Sequence, residues 1–178
     1  MLVSLSSSQL KPTLAAEARY GSVAMAFHWV MVALVVLVGV LGLLHDSWSD
    51  ATYQFWIDVH ASVGLTVWVL VMARLGWRRT HRPPDLPAYL GEFARRWSSP
   101  VHLLLYAFML IIPPFGIVTF IWHGRVTQNI HGYLAYGLFG LIALHVLAAL
   151  WHHFVRHDQV LQRMWPLRSV SEGTETRG

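Results

Sequence analysis

Of the 178 residues, 55% are apolar and only 12% are charged, far below the roughly 25% charged residues of a soluble domain, so the chain reads as one compact membrane domain. It contains no cysteine, which excludes disulfides, thioether-attached haem, iron–sulfur clusters and thiolate zinc sites and leaves His, Met and carboxylates for any metal chemistry. The formal charge of +4 matters less than where the charges sit.

Residues 1–22 lack a positive segment followed by a long apolar core, so they read as an N-terminal extension and not as a cleaved signal. A membrane helix needs about 20 mostly apolar residues, and four segments qualify. The first is Val23 to Leu44, whose only ionisable residue is His28. The second runs from about Trp56 to Trp77, with Asp58 and His60 near one end and Arg74 near the other. The third, Val101 to Trp122, contains His102 and the Pro113–Pro114 pair, which membrane helices tolerate at the cost of a kink. The fourth runs from about Ile130 to Val155 and holds His131 and His145. Residues 168–178 are polar, have no apolar face and read as a disordered tail. This gives an all-α integral membrane protein, an up-down bundle of four transmembrane helices over residues 23–167, since each connection is short enough for antiparallel neighbours.

The connections set the expected orientation. The first loop region holds Asp46, Asp50 and Asp58 and no Lys or Arg. The second holds Arg78, Arg79, Arg82, Arg95 and Arg96. The third adds Arg125. Lys11 and Arg19 precede the first span, and Arg156, Arg163 and Arg168 follow the fourth. An excess of Lys and Arg marks cytoplasmic segments, so both termini and the middle loop are expected in the cytoplasm.

With orientation comes depth. At about 1.5 Å and 100° per residue, His131 and His145 lie roughly 21 Å apart along one helix and only about 40° apart around it. They share a face, one near the outer surface and one in the inner half. His28 follows Arg19 by nine residues and His145 precedes Arg156 by eleven, which places both at a similar inner depth. His60 and His131 both lie near the outer interface. Ionisable groups inside a bilayer are functional by default. Two stacked imidazole pairs on a four-helix bundle are what two bis-histidine haems require. Glycines 39, 42, 64, 137 and 140 leave room for a flat macrocycle or for close helix packing.

Other histidines have plainer readings. His45, His81, His123 and His157 fit interfacial or helix–helix hydrogen bonding. His102 is open between an inner ligand, a propionate or quinone contact and a structural hydrogen bond, its shallower depth disfavouring the first. His152, about 20° from His145 and roughly 10 Å nearer the cytoplasm, suits a propionate or quinone headgroup, and equally an interfacial group.

The motifs FHW (27–29), VHASVGL (59–65), VLVMARLGWR (69–78), HLLLYAFMLIIPPFG (102–116), IHGYLAYGLFGLIALH (130–145) and ALWHHFVRHDQVLQRMWP (149–166) together resemble the bacterial cytochrome b561 family over about residues 20–167. The resemblance implies two haem b groups, with His28 and His145 as inner axial ligands and His60 and His131 as outer ones, and it sets His102 aside as a ligand. It implies a bacterial inner-membrane protein among lipid that moves electrons between an unidentified periplasmic donor or acceptor and membrane quinone. Depth and charge, apart from the resemblance, make Arg74, His102 and His152 the candidate propionate or quinone contacts near the inner haem. One family activity is superoxide oxidation coupled to ubiquinone. Here the chain departs from the pattern, because the third connection, HGRVTQN (123–129), is short and Arg125 is its only cation, so a small anion gains little steering. A second expectation is a cytochrome b subunit anchoring a periplasmic hydrogenase or formate dehydrogenase, for which the small outer loops leave little docking surface. A metal or proton transporter is disfavoured, since none of the nine acidic residues lies mid-span.

Overall fold

A computed structural model describes residues 20–81, 84, 90–158 and 160–165. The expectations for Lys11, Arg19, Arg82, Arg168 and the 168–178 tail lie outside the described residues, as does most of the 1–22 extension. The chain forms four long helices: α1 (Ser22–Leu43), α2 (Asp50–Thr80), α3 (Glu92–Trp122) and α4 (Arg125–Phe154). Short 3-10 turns follow α1 (His45–Ser47) and α4 (Leu161–Met164). All four helices are long and apolar enough to cross a membrane. Among the described residues there is no strand.

The helices are longer than the apolar stretches that mark them. At about 1.5 Å per residue, α2, α3 and α4 each reach roughly 45 Å, against a hydrocarbon layer of about 30 Å. Hydropathy finds the part that must avoid water, but the backbone continues its hydrogen-bond ladder into the interface. Asp50 and Arg79 thus become helical termini, and Arg95 and Arg96 fall in the first turns of α3. The third connection shrinks most. Residues 125–129, expected as loop, form the first turns of α4, and only His123 and Gly124 link it to α3. His123 takes φ 51°, a left-handed stop that reverses the chain within two residues, and the Thr127 hydroxyl donates to the Gly124 carbonyl at 2.8 Å.

Consecutive helices pack on one another: α1 on α2, α2 on α3, α3 on α4. The core is a small cluster of Met31, Val35, Val67, Val71 and Tyr106. Large apolar side chains such as Val36, Val69, Leu103 and Leu147 point outward, as they must when lipid is the solvent. Between α1 and α4 the close approach is at Gly39. It is buried, and a Cβ there would overlap the Phe139 ring. Gly39→Leu should therefore overpack this seam and lower unfolding stability in detergent by about 1–3 kcal/mol. Combining it with Phe139→Ala should recover much of the loss, which a thermal-unfolding double-mutant cycle would measure.

The proline pair leaves α3 continuous. Proline has no N–H, so Pro114 frees the carbonyl of Leu110 four residues earlier. The Trp68 indole N–H of α2 donates to that oxygen at 3.0 Å. A neighbouring helix thus satisfies the carbonyl within the apolar layer.

Candidate functional site

The bundle has a basic end, with Tyr20, Arg78 and the 161–164 turn, and an acidic end, with Asp46, Asp50 and Asp58. Histidines gather in two sets, one toward each end.

Toward the acidic end, His60 of α2 faces His131 of α4. Their ring centroids are 6.1 Å apart with planes at 75°. His131 Nδ1–H donates to the Ile112 carbonyl of α3 at 3.1 Å, in the turn that precedes the proline pair. That bond fixes the tautomer and leaves Nε2 with its lone pair. The Nδ1 of His60 is buried without a hydrogen-bond partner. Each imidazole rests on a glycine of the preceding helix. A Cβ at Gly42 would lie 3.1 Å from His60 Cε1, and one at Gly116 3.0 Å from His131 Cε1. Gly42 was among the glycines expected to admit close approach; Gly116 was missed. Its signal was available in the PPFG run, where a glycine one turn past the carbonyl of Ile112 lets the α4 imidazole reach α3. The remaining glycines divide. Gly39 and Gly137 take the rings of Phe139 and Phe108, Gly64 makes ordinary contact with Val38, and Gly140 has nothing within 4 Å.

Toward the basic end lie His28, Arg74, His102 and His145. Arg74 Nη1 is 3.5 Å from His28 Nδ1, and its guanidinium sits 5.9 Å from the Tyr106 ring centroid. The His102 ring meets that of His145 edge-on at 5.2 Å, while His102 Nδ1–H donates to the Ser98 carbonyl at 2.6 Å. Among the described residues no ring contact joins His28 to His145; the ring beside His28 is Trp29, at 5.5 Å. A cavity of about 330 Å³ opens beside this set, lined by Tyr20, Arg74, Trp77, Arg78, Tyr106 and Met164 among others.

The other predicted contact, His152, lies below His145 on α4. Its Nδ1 is 2.5 Å from Asp158 Oδ2, a partner the sequence reading did not anticipate. Three of the histidines given plainer readings make local contacts. His45 donates from Nδ1 to the Gly42 carbonyl at 2.8 Å, and its Nε2 lies 3.0 Å from Asp46 Oδ1. His81 stacks on Trp77 at 3.7 Å, and His123 serves as the α3 stop.

Comparison with known proteins follows the same outline. The family model described as prokaryotic cytochrome b561 matches residues 19–167. Cytochrome b561 homolog 1 of Escherichia coli K12 is 26% identical, with 84% of this chain and 98% of the relative covered. Cytochrome b561 homolog 2 of the same organism is 29% identical over 82% and 90%. A probable superoxide oxidase of Yersinia pestis is 24% identical over 83% and 96%. The motif resemblance, the four membrane-length helices and this match over most of the chain converge: the chain belongs to the prokaryotic cytochrome b561 family, haem-binding electron-transport proteins of the bacterial membrane.

Proposed function

We propose that the chain is a dihaem b-type cytochrome of the inner membrane that exchanges electrons with quinone at its basic end. His60 and His131 would hold one haem, and His28 and His145 the other. When bound, haem supplies a reversible one-electron couple, and two imidazoles per iron leave no open position for oxygen.

The residues present fit that group. The observation that carries the reading is the acidic-end pair. Two half-buried imidazoles face each other from different helices without a mutual hydrogen bond. One presents a lone pair fixed by a backbone carbonyl, the other has an orphaned ring nitrogen, and each is seated on a glycine. A histidine ligand oriented through its second nitrogen is the usual support of a metal-bound imidazole. At the basic end, Arg74 beside His28 is placed to hold a propionate by a charge-assisted bond. The neighbouring cavity offers a quinone headgroup two guanidiniums, two phenols and the Trp77 ring.

Electron exchange with quinone, without superoxide as donor, is favoured by the acidic end itself. Its connection between α3 and α4 is two residues long, and Asp46, Asp50 and Asp58 outnumber Arg125 there. A negatively charged surface does not steer a small anion.

The test has two parts on the purified protein. Haem b per polypeptide, by pyridine haemochrome against amino-acid analysis, should be near two. A short-chain ubiquinol mixed with the oxidised protein should then reduce the haem absorbance bands. A ratio near zero after expression with ample haem would overturn the reading; a ratio of two without quinol reactivity would confine it to electron transfer between other partners.

A further inference from the structure

The basic-end cavity is walled by groups that give hydrogen bonds. Arg74 and Arg78 of α2 line it together with the phenols of Tyr20 and Tyr106, and among the described residues no Asp, Glu, Asn or Gln does so. Neither arginine has a carboxylate within ion-pair distance among the described residues. The first turn of α1 also lines the cavity, and the opening N–H groups of a helix have no partner within the helix. Such a wall suits a ligand whose oxygens accept. The Trp77 ring and the Met164 side chain add flat and apolar surface, which suits a ring more than a compact ion.

Within this wall Tyr106 stands apart. It belongs to α3, one turn after His102, and only 9% of it is exposed. Its ring packs in the core cluster with Met31, Val35, Val67 and Val71, and the Arg74 guanidinium lies 5.9 Å from the ring centroid. The Tyr106 hydroxyl has no hydrogen-bond partner among the described residues, although a buried tyrosine hydroxyl usually finds one. Nor is the oxygen sealed in protein. Among the described residues, His60 Nδ1 is the one fully enclosed side-chain nitrogen or oxygen without a partner. The Tyr106 oxygen therefore meets open space, and the open space that Tyr106 lines is the cavity. Phenylalanine would fill the same core position without bringing a polar atom to it. The hydroxyl is thus explained by a partner from outside the chain. Arg74, which reaches both the Tyr106 ring and His28 Nδ1, joins this wall to the basic-end histidines.

We propose that Tyr106 fixes the quinone headgroup in the basic-end cavity, its hydroxyl donating a hydrogen bond to one quinone carbonyl. The proposal rests on the quinone reading above and deepens it by naming the residue that holds the headgroup. A quinone becomes a quinol by taking up two electrons, delivered singly by a one-electron donor, and two protons from water. Tyr106 keeps its own proton throughout. Its contribution is position: it holds a carbonyl on the wall shared with Arg74, on the side of the cavity nearest His28.

The test uses the purified, haem-loaded protein, reduced anaerobically with just enough dithionite and mixed rapidly with a series of short-chain ubiquinone concentrations. Haem absorbance gives the rate of reoxidation. Tyr106→Phe keeps the ring, its packing and its contact with Arg74, and removes the hydroxyl alone. It should raise the half-saturating ubiquinone concentration about three- to tenfold, the worth of one neutral hydrogen bond. The limiting rate, haem content and midpoint potentials should stay those of wild type. A half-saturating concentration equal to that of wild type would overturn the proposal. So would loss of haem or a shifted potential in Tyr106→Phe, since either assigns the hydroxyl to haem and not to quinone. If ubiquinone fails to reoxidise the wild-type protein, the quinone reading falls, and this proposal with it.

Discussion

Haem b should fall from about two per polypeptide to about one in His131→Ala, and equally in His60→Ala, with the remaining haem keeping its spectrum. Six-coordinate iron between two imidazoles loses half its axial ligation when one is removed, and alanine supplies no replacement. The surroundings sharpen the expectation. The His131 ring is held on the Ile112 carbonyl and seated on Gly116, so it has little freedom to compensate for a missing partner. Gly116→Val tests the seat without touching a ligand. Its added Cβ would press on the His131 ring at the Cε1 and Nδ1 edge, and it should weaken haem retention about 10–100-fold, the scale for disturbing a ligand's support. Haem transfer to an excess of scavenger protein measures this. Two haems retained in both alanine variants would move the acidic-end site elsewhere.

The second large effect separates His28 from His102. His28→Ala should remove the basic-end haem and leave one per polypeptide. His102→Ala should retain both haems and release the basic-end one about 10–100-fold faster. The distinction follows from how each ring is engaged. His102 is tied to its own helix through Ser98 and lies edge-on against His145, an arrangement that positions His145 from the side. His28 faces Arg74 across from α2. If His102→Ala abolishes the haem and His28→Ala does not, the ligand pair on this side is His102 with His145, and Arg74 must then serve His28 in another role.

The four helices were legible because the bilayer imposes a simple rule on composition, and the match between apolar runs and observed helices follows from it. Their true ends were not legible. Asp50, Glu92 and Arg125 look like loop residues to a hydropathy criterion, yet each opens a helix, because beyond the hydrocarbon layer the backbone needs no apolar side chains to stay helical. At the candidate site, periodicity was enough to put His131 and His145 on one face, and depth was enough to match His60 with His131. The contact of His102 with His145 was not accessible, because depth counted from charged anchors is coarser than one helical turn. Nor was the tie between His152 and Asp158, which depends on a chain reversal after Phe154. Gly116 illustrates a third kind of gap. Its value lies in an atom it does not have, opposite a side chain fifteen residues away; the PPFG run marks the glycine, but not the ring that it seats.

The placement of α4 has a consequence for the protein in its native bilayer. This helix contributes to both histidine sets, His131 at one end and His145 at the other, and it is the least buried of the four. A span longer than the surrounding hydrocarbon layer relieves the mismatch by tilting. Any change of acyl-chain length that alters the tilt of α4 therefore displaces one member of each set together, in opposite directions about the helix midpoint. Membrane thickness becomes a shared variable for the two sites, acting through a single rigid lever.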